Sequence, residues 1–217
     1  MLTNIKAAIF DLDGTLMDSM WVWSKIDTDY FKKRNIDLPC DLKSQIEHLS
    51  FNDTAAYFKR NFNIPDTIEE IMKEWTDFAY IEYLNNVKLK PGVVQFLALL
   101  KSLNIKIGLA TSNSKTLLEA CLKSNDIYHY FDTITLTSEV CRGKNFPDVY
   151  LLAAEKLGVK PEECIVFEDI LPAVKGAKCA GMKVVGVYDD FSKEQKEDII
   201  IHADMYITEY HELTTAI

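Results

Sequence analysis

The sequence predicts an α/β protein: a doubly wound, parallel, Rossmann-like sheet with an inserted all-helical subdomain. Three observations lead there. Near the start, the apolar run Ala7-Ala8-Ile9-Phe10 leads directly into Asp11-Leu12-Asp13-Gly14-Thr15-Leu16, which reads as a buried strand opening onto a polar loop. Residues 18–88 contain no glycine and no convincing strand pattern, yet apolar side chains recur there at helical spacings. Beyond Gly92, short apolar runs alternate with helical patterns of about ten residues, the signature of a parallel sheet wound with helices. A chain of 217 residues accommodates one such core, expected over residues 1–17 and 89–217, with the helical subdomain over 18–88.

In chain order, the first strand is followed by Val22, Ile26 and Tyr30 with Trp23 and Phe31, then Ile46, Leu49, Phe58 and Phe62, all at helical spacing. Ile68, Ile71, Met72, Trp75, Phe78, Ala79 and Glu82 fit one long amphipathic helix. Its start is marked by Pro65-Asp66-Thr67 with Glu69 and Glu70 behind, a capping-box pattern. Linkers are expected near 17–19 and 88–92. Then follow a helix over 92–102, a strand over 106–110 ending at Thr111, a helix over 114–124 and a strand over Thr133–Leu136. A helix over 147–157 is stopped by Gly158, a buried strand covers 164–167, and a helix over 171–180 ends at Gly181. The strand Lys183–Val187, a charged helix over 192–201 and a strand over 204–208 complete the core.

Composition narrows the partners. A net charge of −9 argues against a nucleic-acid surface, which needs a basic stripe, and against anionic membranes. No stretch approaches the ~18 uncharged apolar residues of a membrane span, and no apolar N-terminal run carries a cleavage-like site. Five scattered cysteines, Cys40, Cys121, Cys141, Cys164 and Cys179, form no Cys-x-x-Cys pair. They read as the reduced thiols of a cytoplasmic protein. The histidines His48, His129, His202 and His211 show no ligand spacing and read as surface or satisfied core residues.

The Asp11-Leu12-Asp13-Gly14 stretch carries the chemistry. Side chains at i and i+2 of an extended segment share a face, so both carboxylates can reach one small volume. Like charges that close require a cation or a shared proton. One reading is a plain polar turn at a strand end. A calcium loop fails, because Gly14 is fourth and Val22 twelfth where such a loop needs glycine sixth and glutamate twelfth. The remaining reading is phosphoryl transfer, with one carboxylate as nucleophile and the other as acid/base.

The segment Asp11-Leu12-Asp13-Gly14-Thr15-Leu16 resembles the signature of the haloacid dehalogenase-like superfamily. The rest of that family's pattern follows in order. It comprises Ile105-Lys106-Ile107-Gly108-Leu109-Ala110-Thr111-Ser112-Asn113, then Lys144 within Gly143-Lys144-Asn145-Phe146-Pro147-Asp148, then Cys164-Ile165-Val166-Phe167-Glu168-Asp169. The resemblance implies a magnesium-dependent phosphatase acting through an aspartyl-phosphate on a small phosphorylated metabolite such as a sugar phosphate. It implies Asp11 as nucleophile and Asp13 as the acid that protonates the leaving oxygen and later activates water. The dehalogenases of the superfamily lack that second aspartate, so Asp13 points to phosphoryl chemistry. Thr111 is expected to donate its hydroxyl to phosphate, with Ser112 and Asn113 opening a helix whose amides favour an anion; a simple N-cap run is the blander reading. Lys144 is expected to pair with phosphate and nucleophile. Asp169 is expected to ligate magnesium with the Asp11 carboxylate and the Asp13 carbonyl. Glu168 is either a ligand or the acceptor for a metal-bound water.

Two departures from the family pattern are visible. Asp169-Ile170-Leu171-Pro172-Ala173 replaces an expected Asp-Ser-x-x-Gly, so Ile170 lacks a hydroxyl that could cap the next helix. The overall pattern is similar to the β-phosphoglucomutase branch, yet Trp23 and Phe51 stand where that branch places a histidine and a phosphate-gripping arginine. The resemblance makes residues 18–88 a cap that closes over the catalytic loops, with Trp21 and Trp23 either plain core or lining the substrate entrance. A β-phosphoglucomutase-like phosphohexomutase and a catalytically silent binding protein on the same fold are the competing readings, and the complete set of acids and lysine argues against the silent one. A monomer or weak homodimer is expected.

Overall fold

The computed structural model describes residues 2–46 and 51–214. His48, Leu49 and Ser50 lie outside the described residues. The chain divides into two compact units, Met1–Ser19 with Val87–Ile217, and Met20–Asn86.

The first unit is built on six parallel strands: β1 (Ala7–Phe10), β4 (Lys106–Thr111), β5 (Thr133–Leu136), β6 (Cys164–Glu168), β7 (Lys183–Val187) and β8 (Met205–Ile207). Their order across the sheet is β5-β4-β1-β6-β7-β8. β1 therefore sits centrally, with chain progression running outward on either side of it, and ligands of such sheets bind beyond the carboxyl ends at that reversal. The register sets Phe10 against Leu109 on one side and Phe167 on the other. Asp11, one residue further, is then level with Glu168, and its amide donates to the Phe167 carbonyl at 3.1 Å.

Helices α5 (Val93–Ser102), α6 (Lys115–Ser124), α7 (Asp148–Leu157), α8 (Leu171–Cys179), α9 (Lys196–His202) and α10 (His211–Thr214) wrap the sheet. Alternation in β1 divides the core. Ala7 and Ile9 pack with Val149, Tyr150, Ala153 and Leu157 of α7 and Val174 and Ala177 of α8. The rings of Phe10 and Phe167 stack at 4.5 Å and meet Phe96 and Tyr210. Each such buried aromatic contributes ~1.5–3 kcal/mol by leaving water.

The expected linkers turn out to contain structure. β2 (Met17–Asp18) and β3 (Lys88–Leu89) pair antiparallel, Met17 with Leu89 and Asp18 with Lys88. Strands of two residues have no readable period. The charged helix expected over 192–201 is also revised: residues Asp190–Gln195 form a 3₁₀ turn and only Lys196–His202 is α-helical. Asp189 starts that turn by accepting the Phe191 amide at 2.9 Å.

The second unit is helical: α1 (Trp21–Lys33), α2 (Leu42–Ile46), α3 (Phe51–Asn61) and α4 (Ile68–Asn85). α4 begins with the capping box, Thr67 Oγ1 accepting the Glu70 amide while Glu70 accepts the Thr67 amide. Tyr30, Phe31, Phe58 and Trp75 pack edge-on or tilted as its core.

Candidate active site

Three strand ends deliver the acids and hydroxyl: β1 runs into Asp11, β4 ends at Thr111, and β6 ends at Glu168 with Asp169 next. Gly14 has φ +74°, and a β-carbon there would meet Asp169 Oδ2 at 2.3 Å. Glycine is required on both counts, since it alone adopts this backbone freely and leaves room for the acid. The turn it makes presents Thr15 Oγ1, which donates to Asp169 Oδ1 at 3.0 Å.

Lys144 is buried between two carboxylates, its Nζ 2.5 Å from Asp11 Oδ1 and 2.7 Å from Glu168 Oε1. Burial works against its charge, but Asp11 and Glu168 outweigh that and hold the ammonium well above the usual lysine range. Tyr150 of α7 donates to the same Glu168 oxygen at 2.8 Å. Burial, then the Glu168 charge, pushes its phenol far up, so it remains a donor. Burial raises the Glu168 carboxyl, Lys144 opposing and Asp11 reinforcing the shift. Asp169 is also raised well above its ordinary value, by burial first and then by Asp11 and Glu168 nearby.

Asp13 is held separately. Its Oδ1 accepts the Ser19 hydroxyl at 2.6 Å and its Oδ2 the Asn113 side-chain amide at 2.8 Å. Thr111 Oγ1 accepts the Asn113 backbone amide at 3.0 Å, which leaves the hydroxyl proton to give to a ligand. The helix after β4 is opened by Ser114, whose side chain accepts the Leu117 amide. Ser112 and Asn113 precede that cap rather than form it; Ser112 is exposed and Asn113 is committed to Asp13.

Asp11, Glu168 and Asp169 each bring one oxygen within 4.8 Å of the others. Glu168 Oε2 is buried and has no hydrogen-bond partner among the described residues. Three crowded acids, two of them resisting ionisation, and one orphaned oxygen are an all-oxygen donor set suited to a hard divalent cation. The residues present fit such an ion.

The Ile170 departure is compensated from elsewhere. Ile170 is the N-cap of α8 and provides no side-chain acceptor, but Gln195 Oε1 accepts the Leu171 amide at 2.9 Å. Sequence reading missed Thr15, Ser19, Tyr150 and Gln195. Thr15 and Ser19 lie close enough to Asp13 to be suspected, whereas Tyr150 and Gln195 gain their roles only through packing.

The chain is 31% identical, over 84% of its length and 85% of the relative's, to the phosphorylated carbohydrates phosphatase of Thermotoga maritima. It is 29% identical to hexitol phosphatase B of Escherichia coli K12, over 97% and 95% of the two chains. Among solved structures, CbbY from Rhodobacter sphaeroides in complex with phosphate superposes with a TM-score of 0.81 at 24% identity, covering 96% of each chain, a likeness of fold. A Thermotoga maritima protein provisionally named a β-phosphoglucomutase superposes with a TM-score of 0.83 at 27% identity, covering 98% of this chain and all of that one. The family described as haloacid dehalogenase-like hydrolase matches residues 8–187, and the chain belongs to that family.

Proposed function

We propose that this hydrolase is a magnesium-dependent phosphatase that cleaves a small phosphorylated metabolite of the sugar-phosphate kind through an aspartyl-phosphate. The observation that carries the reading is the pair of aspartates on one loop in different settings. Asp11 faces the Lys144 ammonium at 2.5 Å, while Asp13 is held by two neutral donors, Ser19 and Asn113. A carboxylate nucleophile and a separately held acid/base are what a phosphate monoester needs and a halide does not.

In this reading Asp11 attacks phosphorus, forming the acyl phosphate as the substrate's ester oxygen leaves with a proton from Asp13. Asp13 then takes a proton from the water that attacks the acyl phosphate, returning Asp11 and releasing phosphate. Thr111 donates its hydroxyl to a phosphoryl oxygen, and Lys144 offsets the charge shared by phosphoryl group and nucleophile. Asp11, Asp169, the Asp13 carbonyl and Glu168 would hold the magnesium, which when bound supplies positive charge for the phosphoryl oxygens.

The phosphatase names of the two relatives support the substrate class. The charge of −9 suits a free metabolite rather than nucleic acid. Cys121 and Cys164 are buried and Cys40, Cys141 and Cys179 exposed, all as free thiols, which fits the cytoplasm. No helix among the described residues is long and apolar enough to cross a membrane.

The test is turnover of p-nitrophenyl phosphate and a panel of sugar phosphates, with and without magnesium. Metal-dependent phosphate release is expected, abolished in Asp11→Asn with the fold intact, because an amide is a poor nucleophile. Asp13→Asn should lose far more rate on an alkyl phosphate than on p-nitrophenyl phosphate, whose leaving group needs little protonation. Equal losses would remove Asp13 from the acid role, and no metal-dependent turnover on any substrate would overturn the phosphatase reading.

A further inference from the structure

The geometry points to Tyr150 as a positioning residue for the metal site, its hydroxyl fixing Glu168 so that only Oε2 faces the cation. This rests on the magnesium reading above. Glu168 is fully buried at the end of β6. Its two oxygens differ sharply: Oε1 accepts both Lys144 Nζ at 2.7 Å and Tyr150 Oη at 2.8 Å, and Oε2 accepts nothing. A buried carboxylate oxygen without a donor is expensive to keep, so the protein holds this carboxyl in place from the other side.

Lys144 cannot do that alone. The same ammonium lies 2.5 Å from Asp11 Oδ1, and in the proposed reaction it also turns toward the phosphoryl group. Each shift in its position would loosen Oε1 and let the carboxyl rotate. Among the described residues, Tyr150 has no hydrogen-bond partner for its hydroxyl besides Glu168. It is fully buried on the first turns of α7, packed with Val149, Ala153 and Val174 of the sheet-helix core, and the hydroxyl reaches Glu168 from a rigid element. Outer partners of this kind orient the group that meets the metal, and losing one typically weakens metal binding about 10–100-fold.

Tyr150→Phe removes the hydroxyl and keeps the ring. The experiment measures metal affinity without substrate, as free Mn2+ by electron paramagnetic resonance and as the Mg2+ dependence of the melting temperature. Wild type is compared with Tyr150→Phe, Glu168→Gln and the double variant, and a metal-free melt checks that each folds. Tyr150→Phe should weaken both metals about tenfold or more. In the Glu168→Gln background it should add almost nothing, because the residue acts through Glu168. A hydroxyl that only fills the core would lower the metal-free melting temperature and leave both affinities unchanged, which overturns the inference. An additive effect in the double variant also overturns it. Wild type that binds neither metal would overturn the magnesium reading together with this one, whereas wild-type binding with an unaffected Tyr150→Phe variant would sink this one alone.

Discussion

At the scale of single residues, close approach decides as much as charge. Gly176 lies on α8, where a β-carbon would meet the Lys144 carbonyl oxygen at 2.0 Å and that of Phe146 at 2.9 Å. Both are backbone atoms and neither can swing aside, so Gly176→Ala must displace the loop that carries Lys144. It should destabilise the protein by ~1–3 kcal/mol and, by misplacing the ammonium, lower kcat by up to about 100-fold. Gly181, just past the same helix, is the comparison: φ is +79° but nothing lies within 4 Å of its β-carbon position. Gly181→Ala should cost ~1–2 kcal/mol of backbone strain with kcat unchanged, and denaturant titration beside steady-state kinetics separates the two variants. Equal effects on kcat would mean that the close packing of α8 does not position Lys144. The positions of Asp11, Asp13, Thr111, Lys144, Glu168 and Asp169 were legible because each closes a recognisable run of neighbours. Tyr150 was not, since its partner is 18 positions away and a tyrosine within a helical pattern reads as core. Thr15 sits beside the Asp11 and Asp13 pair, yet its partner Asp169 is 154 positions on.

At the scale of elements, local chemistry was readable and borrowed chemistry was not. α4 announced itself through Thr67 and Glu70, whose reciprocal bonds need no help from the rest of the chain. The start of α8 did not, because its acceptor is Gln195, contributed by the 3₁₀ turn that stands in place of the first residues of the expected helix. In the helical unit, Arg34 ties the end of α1 to the start of α4. It reaches Asp66 Oδ2 at 2.5 Å and Glu74 Oε2 at 2.8 Å, and lies over the Tyr30 ring, 3.7 Å from its centre. Arg34 holds the Glu74 carboxyl below its ordinary value of 4.5. A carboxyl depressed by folding adds stability that is fully present above that ordinary value and is lost as pH falls through the folded-state value. Arg34→Met should therefore cost ~1–3 kcal/mol near neutral pH and flatten the loss of stability on acidification below about pH 4.5. Denaturant melts of both proteins across that range check it. Parallel pH curves would show that the Arg34 pair contributes nothing linked to Glu74.

At the scale of the molecule, the question is whether the phosphoryl group ends on water or returns to the sugar. The β-phosphoglucomutase branch, which this sequence resembles, transfers phosphate between two hydroxyls of one sugar and must hold a bisphosphate between the steps. It uses a histidine and an arginine at the positions of Trp23 and Phe51. In the helical unit these two residues are neighbours, their rings packed edge-on at 5.9 Å, and Phe51 in turn packs on Trp75 at 5.6 Å. An aromatic surface makes none of the bidentate, charge-assisted bonds that an arginine gives a phosphate. Without that grip a bisphosphate is not held for the return transfer, and water competes with the sugar hydroxyl for the aspartyl-phosphate. The chain should therefore release phosphate from a monophosphorylated sugar and should not convert β-glucose 1-phosphate to glucose 6-phosphate. Coupled detection of glucose 6-phosphate beside free phosphate, with catalytic bisphosphate present, reads both outcomes at once. Isomerisation outpacing phosphate release in the wild type would make the enzyme a mutase and show that the aromatic pair is no barrier to holding a second phosphate.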